Sequence, residues 1–551
     1  MRRPHSAIPS EPDAVWSRSE TLALVALYLG VRAAFLIGNP TYFYNGIDAY
    51  LGAAANDFLR GDALPLLDYQ YNNYNPATWV FTALAVPFVR LGGPFHQSVN
   101  VLLLLVHAAI FSGWLVFGQR YVGRSATRWG ALLWAAPPPF LLWMSMALKG
   151  GHHFMIVTQL FAFACLIELR RTPSADRARE LRLLFLLGVS TGLGCWWSLM
   201  FWTAAPVIGL LLLLESGRRL RLPALAVLAS AFLLGYAPAI YYNWTRDLQG
   251  FSVQEAPFWS WFLDAPREAP GRLWALLTRE LPESYRFASL TLGRLYAAAT
   301  LAAWAYLVWR HRAELRLLSP LRILRRRPAP PVSPALYLAS LYAAFFLALA
   351  VSSFAREPDY FATPHIQGAI LLGLAFAALA ARGRKAAVAA GRWAILGASA
   401  ASIAIAYVQG APAYGPALDG LSDGKYGFWL GYRYVKDPDF VFARIAAFPA
   451  SRRPNLYKGA GYGMSWLVLS TPPRPSQMTE MMAIAERVPT ESRSHFLDGL
   501  AVELAGDVSG DGDGVRREVH DVADRVASTH VGLGAPPGVA APNGGPQVRR
   551  R

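Results

Sequence analysis

A carboxylate among aromatic and amide side chains is the most distinctive chemical feature of the sequence. Asp48 lies in residues 42–50 (YFYNGIDAY), and residues 69–75 (YQYNNYN) follow further along the same polar stretch. Aromatic rings stack on sugars and amides hydrogen-bond hydroxyl groups, so this composition suits a sugar-binding cleft. A solvated loop acid beside ordinary membrane-interface aromatics is the alternative. The candidate sugar- or acceptor-binding residues are Tyr50, Tyr71, Asn73 and Tyr74.

Two histidines form a second group of candidates. His152 and His153 end the segment 149–153 (KGGHH), which begins with Lys149. A histidine titrates near pH 6.5 and can act as a general base, and the two glycines let backbone approach a ligand closely. The segment has no acid, so it does not favour an oxygen-ligated Mg²⁺ or Mn²⁺ site. A softer divalent metal on the histidines, and histidines that only cap a helix, are the open alternatives.

A third group lies in residues 355–365 (AREPDYFATPH). Arg356 is the only cation before His365 in this segment, and a guanidinium pairs bidentately with phosphate oxygens. An ion pair of Arg356 with a neighbouring acid is the alternative. Residues 507–518 have the ligand spacing of a calcium loop, but Gly514 replaces the usual hydrophobic residue, and a Gly/Asp-rich turn fits equally well.

The composition indicates what kind of protein must position these residues. Of the 551 residues, 54% are hydrophobic and only 16% are charged, and the mean hydropathy is +0.28. A soluble globular protein has roughly 25% charged residues, so this is a membrane protein and not a cytosolic enzyme or a disordered scaffold. The net charge of +17 comes mostly from arginines in short loops, the usual pattern at a cytoplasmic membrane face, and nucleic-acid binding is not expected.

Eleven apolar runs are long enough to suggest transmembrane helices, so we predict an all-α membrane protein with about eleven spans. The runs are 21–38, 98–118, 128–147, 152–169, 182–198, 200–214, 222–241, 290–309, 334–354, 365–381 and 392–409. The apolar segment 76–92 is shorter, and we predict that it lies flat on the outer surface.

The positive charges then sort to one side of the membrane. The loops 1–20, 119–128, 169–182, 215–221, 310–328 and 382–392 hold 25 Lys and Arg in 81 residues, against 9 in 122 for the loops 39–97, 148–151, 242–290 and 355–364. By the positive-inside rule, the first set is cytoplasmic. We therefore predict a multi-pass protein of a bacterial inner membrane, with a cytoplasmic N-terminus and a periplasmic C-terminus.

Four regions follow from this topology: a cytoplasmic N-terminus (1–20), a transmembrane domain (21–409) with its first outer loop at 39–97, an outer-face helical domain (410–530) and a disordered tail (531–551). Within the helical domain, residues 448–459 and 488–499 look related at an offset of 40 residues, a spacing typical of helical-hairpin repeats.

Residues 44–76, together with the topology of residues 15–410, resemble the membrane-embedded GT-C glycosyltransferases. These enzymes use polyprenyl-phosphate-linked sugar donors and include oligosaccharyltransferase catalytic subunits, protein O-mannosyltransferases and aminoarabinose transferases. The matching features are one span, a long outer loop that opens with an acid and a tyrosine (GIDAY, 46–50), a helix ending FLRGD (58–62) and a flat helix.

The resemblance implies a transferase that moves a sugar from a polyprenyl-phosphate donor to a glycan, lipid or protein at the periplasmic face. It implies a catalytic role for Asp48 and a phosphate-binding role for Arg356 with Tyr360, to which we add Lys149. The two histidines complete the candidate catalytic set. The expected partners are the lipid-linked donor, membrane lipid and an envelope protein at the C-terminal domain. A flippase for lipid-linked oligosaccharides, or a non-catalytic assembly factor, is the alternative function.

Overall fold

The computed structural model of the protein divides into two compact units, Met1–Asp419 and Gly420–Arg551. It describes residues 17–39, 46–61, 78–93, 96–147, 154–173, 175–216, 222–245, 252–253, 256–257, 268–287, 289–317, 332–351, 358–409, 421–468 and 475–504. Over these residues the chain is helical apart from turns and one antiparallel pair of two-residue strands.

The first unit begins with α1 (Arg18–Gly38), α2 (Gly46–Arg60), α3 (Thr78–Gly92), α4 (His96–Tyr121), α5 (Arg124–Ala135), α6 (Pro139–Met144), α7 (Met155–Arg171), α8 (Arg177–Trp197), α9 (Ala205–Ser216) and α10 (Leu222–Thr245). It continues with β1 (Ser252–Val253), β2 (Ala256–Pro257), α11 (Ala269–Ala275), α12 (Leu281–Ser284), α13 (Leu290–Arg310), α14 (Arg312–Leu317), α15 (Pro334–Val351), α16 (Ala362–Ala380) and α17 (Lys385–Gln409). Short 3-10 turns lie at Leu199–Thr203 and Pro358–Phe361.

Polar side chains fix where several helices begin. An N-cap oxygen accepts a hydrogen bond from one of the first backbone N–H groups of a helix, which have no partner within it. Ser17 does this for α1, with Glu20 three residues later in the pattern of a capping box. Further side-chain caps of this kind are Asp176 on α8, Ser289 on α13, Ser333 on α15 and Asp437 in the second unit.

Six described helices are long and apolar enough to cross a membrane: α1, α4, α10, α15, α16 and α17. Each coincides with one of the eleven predicted runs. The other five runs are also helical, but their helices are shorter, interrupted or less apolar. The membrane-protein class is therefore supported, and the number of eleven spans stays a prediction.

The run 128–147 is not the continuous helix that its apolar composition predicts. Residues 137–139 are all proline, and α5 ends at Ala135 before α6 begins at Pro139. Proline lacks the N–H that a helix interior needs and disfavours helix at the residue before it, so three in succession separate the two helices. The chain changes course at this break.

The parallel helices α8 and α10 pack with their backbones in close contact. A Cβ atom added at Gly188 would meet the carbonyl oxygen of Leu228, and one added at Gly192 would meet that of Phe232. Small residues four apart allow such an approach between membrane helices. Because the contacts advance in the same direction along both helices, α8 and α10 run parallel, so α9 and its flanking turns return the chain between them.

Contacts among charged and aromatic side chains gather the arginine-rich segments at one end of the first unit. The contacts are Glu20–Arg124 (2.8 Å), Glu168–Arg120 (3.0 Å), Glu168–Arg179 (3.0 Å), the Arg382 guanidinium to the Trp309 ring (5.8 Å) and the Arg392 guanidinium to the Trp129 ring (4.0 Å). They connect the segments around 1–20, 119–128, 169–182, 310–328 and 382–392. We call this end the arginine end.

The second unit contains α18 (Leu421–Arg433), α19 (Pro438–Ala446), α20 (Arg453–Val468), α21 (Pro475–Glu486) and α22 (Thr490–Leu504). The two related sequence pieces occupy equivalent places, because each covers the turn between two helices and the start of the second helix. Helix α20 packs against both α18 and α22, again through glycines. The backbone contacts are Gly459 to Gly424, Gly463 to Phe428 and Gly461 to Phe496. The predicted tail 531–551 lies outside the described residues.

Candidate functional site

The ends of two predicted outer loops meet at Ala147. This residue closes the turn after α6 and is fully buried in one cluster with Phe140, Met144 and Ala362. Ala362 is the first residue of α16 and follows the 3-10 turn that contains Tyr360. The segments 148–153 and 352–357, which contain Lys149 and Arg356, therefore each have one end close to this cluster.

Two aromatic side chains of neighbouring helices hold both ends of segment 148–153. His107 of α4 donates a hydrogen bond from Nε2 to the carbonyl oxygen of Ala147 (3.3 Å). At the other end, the ring of Phe154 lies 5.6 Å from the His107 ring and 4.9 Å from that of Phe81 of α3. Because His107 contacts both Ala147 and Phe154, the two described residues that flank segment 148–153 lie close together beside α4.

The helix with the predicted catalytic acid belongs to the same group of elements. Asp48 lies in the first turn of α2, and α2 packs against α3 and α4 through the buried side chains of Leu51 and Ala55. The structure describes the backbone of Asp48 and Tyr50 and not their side chains. Three predicted outer loops thus connect to one set of packed helices, α2, α3, α4, α6 and the start of α16.

The start of α16 is held by a histidine that the sequence patterns did not single out. His365 is buried, and its Nε2 lies 3.0 Å from Ser284 Oγ at the end of α12. Ser284 donates its own hydrogen to the carbonyl oxygen of Leu281 (2.7 Å), so His365 Nε2–H is the donor between the two side chains. The contact ties the last part of the predicted loop 242–290 to the segment that contains Tyr360.

Aromatic rings enclose this pair of side chains. The Tyr285 ring lies 4.1 Å from that of His365, and the Phe140 ring lies 5.5 Å from it. The backbone N–H of Phe140 donates to the carbonyl oxygen of Tyr285 (3.3 Å), which joins α6 to the residue after α12. Burial raises the pKa of Tyr285 well above its ordinary value, so this side chain stays a neutral phenol even at alkaline pH.

The chain is similar to two solved structures. The first is the crystal structure of ArnT from Cupriavidus metallidurans bound to undecaprenyl phosphate, with 15% sequence identity and a TM-score of 0.43 over 93% of this chain and 76% of ArnT. The second is the archaeal oligosaccharyltransferase AglB from Archaeoglobus fulgidus in complex with an inhibitory peptide and a dolichol-phosphate, with 14% identity and a TM-score of 0.39 over 76% of this chain and 59% of AglB.

Both of those proteins are GT-C glycosyltransferases, the group that residues 44–76 of this chain resemble. No protein-family model matches the chain, and no curated protein sequence matches it.

Most of the predicted site residues stay predictions. Of the side chains predicted to bind the donor phosphate, that of Tyr360 is described; it is partly buried and packs against the main hydrophobic core. The predicted residues that lie outside the described part of the chain are Tyr71, Asn73, Tyr74, Lys149, His152, His153 and Arg356. The calcium-like segment 507–518 also lies outside it. Among the described residues, no group of three His, Cys, Asp or Glu side chains is placed to hold a metal ion.

A buried arginine fixes the helix break beside the site. Arg32 of α1 is fully buried and donates to the carbonyl oxygens of Trp134 (3.2 Å) and Ala135 (3.1 Å), at the end of α5. Its Nε donates to Ser145 Oγ (2.7 Å), beyond α6. The carbonyl groups that end a helix lack partners within it and carry partial negative charge. One guanidinium therefore satisfies the end of α5 and holds the turn that leads to Ala147.

Little in the sequence indicates this role of Arg32. Arg32 is one cation within an apolar run, and its three partners at the helix break lie more than 100 positions away in the chain. The available signal was the charge itself, because an arginine inside a predicted span must find partners in the protein.

Proposed function

We propose that this chain is a membrane glycosyltransferase that moves a sugar from a polyprenyl-phosphate-linked donor to an acceptor hydroxyl at the periplasmic face. The proposal starts from the resemblance of residues 44–76 to GT-C enzymes. The observation that supports it is that Ala147, which precedes segment 148–153, and Ala362, which follows the turn after segment 352–357, lie in one buried cluster. Ala147 also contacts His107 of α4, a helix that packs with α2. Residues that are 100 to 300 positions apart in the sequence are thereby connected to one small region.

In this proposal the reaction is a direct displacement at the anomeric carbon. The acceptor oxygen forms a bond to that carbon, and the bond from the carbon to the donor phosphate oxygen breaks. The phosphate leaves with the electron pair, and the acceptor proton passes to the carboxylate of Asp48 or to a histidine of the pair His152 and His153. One displacement on the face opposite the leaving group inverts the anomeric configuration.

The positive residues have the complementary role. Arg356 would pair with two oxygens of the donor phosphate, with Lys149 as a second positive charge and Tyr360 as a hydrogen-bond donor. Positive charge placed in advance where negative charge develops lowers the barrier without reorganisation during the reaction. Tyr50, Tyr71, Asn73 and Tyr74 would bind the sugar and the acceptor.

The predicted orientation puts this chemistry at the periplasmic face of the membrane. The arginine end holds five of the predicted cytoplasmic segments, and positive-inside topology assigns that end to the cytoplasm of a bacterial inner membrane. The site residues belong to the opposite set of loops. The second unit then lies in the periplasm, where its stacked helices are a candidate surface for an envelope protein partner.

Deletion of the gene tests the proposed reaction. We expect one sugar to disappear from a surface glycan, lipid or protein, and we expect its polyprenyl-phosphate donor to accumulate because nothing consumes it. Mass spectrometry of glycans and of lipid-linked sugars, in the deletion strain and in the strain complemented with the wild-type gene, measures both. If the donor of the deletion strain accumulates only in the cytoplasmic leaflet, which is the outer leaflet of inverted membrane vesicles, the protein is a flippase and not a transferase.

Arg356→Gln is expected to lower kcat/KM for the lipid-linked donor by about 10²–10³-fold, the size of effect found when one preorganised electrostatic contact is removed. Arg356→Lys should recover part of the loss, since it restores the charge but not the planar fork. Initial rates of sugar transfer in proteoliposomes measure the effect, with the donor identified by the deletion experiment.

The matched control is Arg286→Gln, which removes an exposed arginine from the predicted loop 242–290. It should keep a wild-type rate. If both variants transfer sugar equally well, Arg356 does not bind the donor phosphate.

A further inference from the structure

Arg392 has an unusual environment at the arginine end of the first unit. Its guanidinium lies close to two aromatic rings, 4.0 Å from the ring centroid of Trp129 on α5 and 5.6 Å from that of Phe376 on α16. Stacking of this kind orients the guanidinium plane and leaves its edges for hydrogen bonds in that plane.

One edge of this guanidinium is without a hydrogen-bond partner. The Nε and Nη2 atoms of Arg392 are both buried, and neither bonds to any group in the described part of the chain. These two nitrogens form the side of the guanidinium that pairs with two oxygens of one phosphate or carboxylate group. Buried polar groups in proteins are nearly always satisfied, so two adjacent orphan donors point to a missing acceptor.

The charge around Arg392 also requires an anion. Helices α5, α16 and α17 contain no Asp or Glu, and Arg128 of α5 is an electrostatic neighbour of Arg392. Glu20 of α1 accepts from Arg124 (2.8 Å) and lies 3.5 Å from Arg128 Nε. One carboxylate therefore serves two arginines, and no described carboxylate serves Arg392.

The surroundings indicate what kind of anion binds. Arg392 lies on α17 and Trp129 on α5. They are at the arginine end of α1 and α17, two of the three candidate spans that are least buried within the protein. Trp393 is 69% exposed and Leu22 of α1 is 67% exposed, so apolar side chains face outward beside the arginines. A soluble phosphate gains nothing from these side chains, whereas the acyl chains of a phospholipid would cover them.

We infer that Arg392, with Arg128, binds the phosphate of an acidic phospholipid at the arginine end of the transmembrane unit. The lipid phosphate takes the Nε–Nη2 edge of Arg392, and Arg128, which is 55% exposed, moves to share the charge. Basic pockets between membrane helices are known sites for acidic lipid head groups. This site is separate from the proposed sugar-transfer site, because it lies among the other set of loops.

Binding of defined lipids to the purified full-length chain tests this inference. In a neutral detergent, phosphatidylglycerol should raise the Tm of the wild type and remain bound in native mass spectrometry, and phosphatidylcholine should do neither. Arg392→Gln should weaken phosphatidylglycerol binding at least tenfold, because it removes the charge-assisted hydrogen bonds to the lipid phosphate. Arg392→Lys should bind with intermediate affinity.

The matched control is Arg384→Gln, which removes one exposed arginine from the same end. It should bind phosphatidylglycerol like the wild type. Equal binding by Arg392→Gln and Arg384→Gln would overturn the inference, as would equal stabilisation by phosphatidylcholine. If inorganic phosphate raises the Tm as much as phosphatidylglycerol does, the site binds a soluble anion and the inference of a lipid is wrong. If Arg392→Gln fails to fold, Arg128→Gln gives the same comparison and should weaken binding.

Discussion

Asp48→Asn is expected to abolish sugar transfer while the amount of folded protein in the membrane stays at the wild-type level. Asparagine has nearly the same shape as aspartate but cannot accept the acceptor proton, and loss of a general base costs about 10²–10⁴-fold in rate. The substitution lies in the first turn of α2, where asparagine is also well tolerated. Complementation of the deletion strain, with glycans read by mass spectrometry and protein by immunoblot, measures both quantities.

Asp57→Asn is a suitable control because it makes the same chemical change in the same helix. The two positions are nine residues apart, about two and a half helical turns, so they lie on opposite sides of α2. The Asp57→Asn variant should transfer sugar like the wild type. If Asp48→Asn complements the deletion fully, Asp48 is not the general base, and His152 and His153 are the remaining candidates for that role.

Arg32→Met is expected to destabilise the transmembrane unit by about 3–5 kcal/mol, because it leaves several buried acceptors without donors at once. The carbonyl oxygens of Trp134 and Ala135 and the hydroxyl of Ser145 all lose their bonds to the guanidinium. Methionine fills a similar volume, so the loss measures the hydrogen bonds more than the packing. Thermal unfolding in detergent measures the effect as a lower Tm.

Arg18→Met provides the comparison, since Arg18 is exposed at the first position of α1. Its Tm should stay close to that of the wild type, as is usual for surface substitutions. Because Arg32 also holds the turn before Ala147, Arg32→Lys should retain part of the stability and lose more transfer activity than its Tm explains. An unchanged Tm for Arg32→Met would mean that water or another side chain replaces the guanidinium.

Much of the first unit could be predicted from composition alone. Apolar runs correspond to helices because a bilayer demands internally bonded backbone over a fixed length. The sorting of arginines groups distant loops, and the Glu20–Arg124 and Glu168–Arg120 pairs confirm that the segments around these residues lie together. Hydropathy could not reveal the break between α5 and α6 at residues 137–139, since an apolar run with three prolines still has the hydropathy of a span.

The site was less predictable, for a physical reason. Asp48 stands out because aromatic and amide residues surround it in the sequence, and Arg356 because it is the only lysine or arginine in residues 355–364. The residues that position the loops are different: His107 and His365 act through single contacts with Ala147 and Ser284, and these contacts exist only once the helices have packed. A lone histidine in an apolar run has no periodicity or spacing that indicates its partner.

The glycine contacts of α20 constrain how this protein can change in length during evolution. Gly459 and Gly463 face α18 while Gly461 faces α22, so the helix has a fixed rotation relative to two neighbours at once. One inserted or deleted residue between these positions would turn the rest of the helix by about 100° and bring larger side chains against a backbone. Relatives of this chain should therefore differ in length in the turns, at 434–437, 447–452 and 487–489, and keep α20 free of gaps.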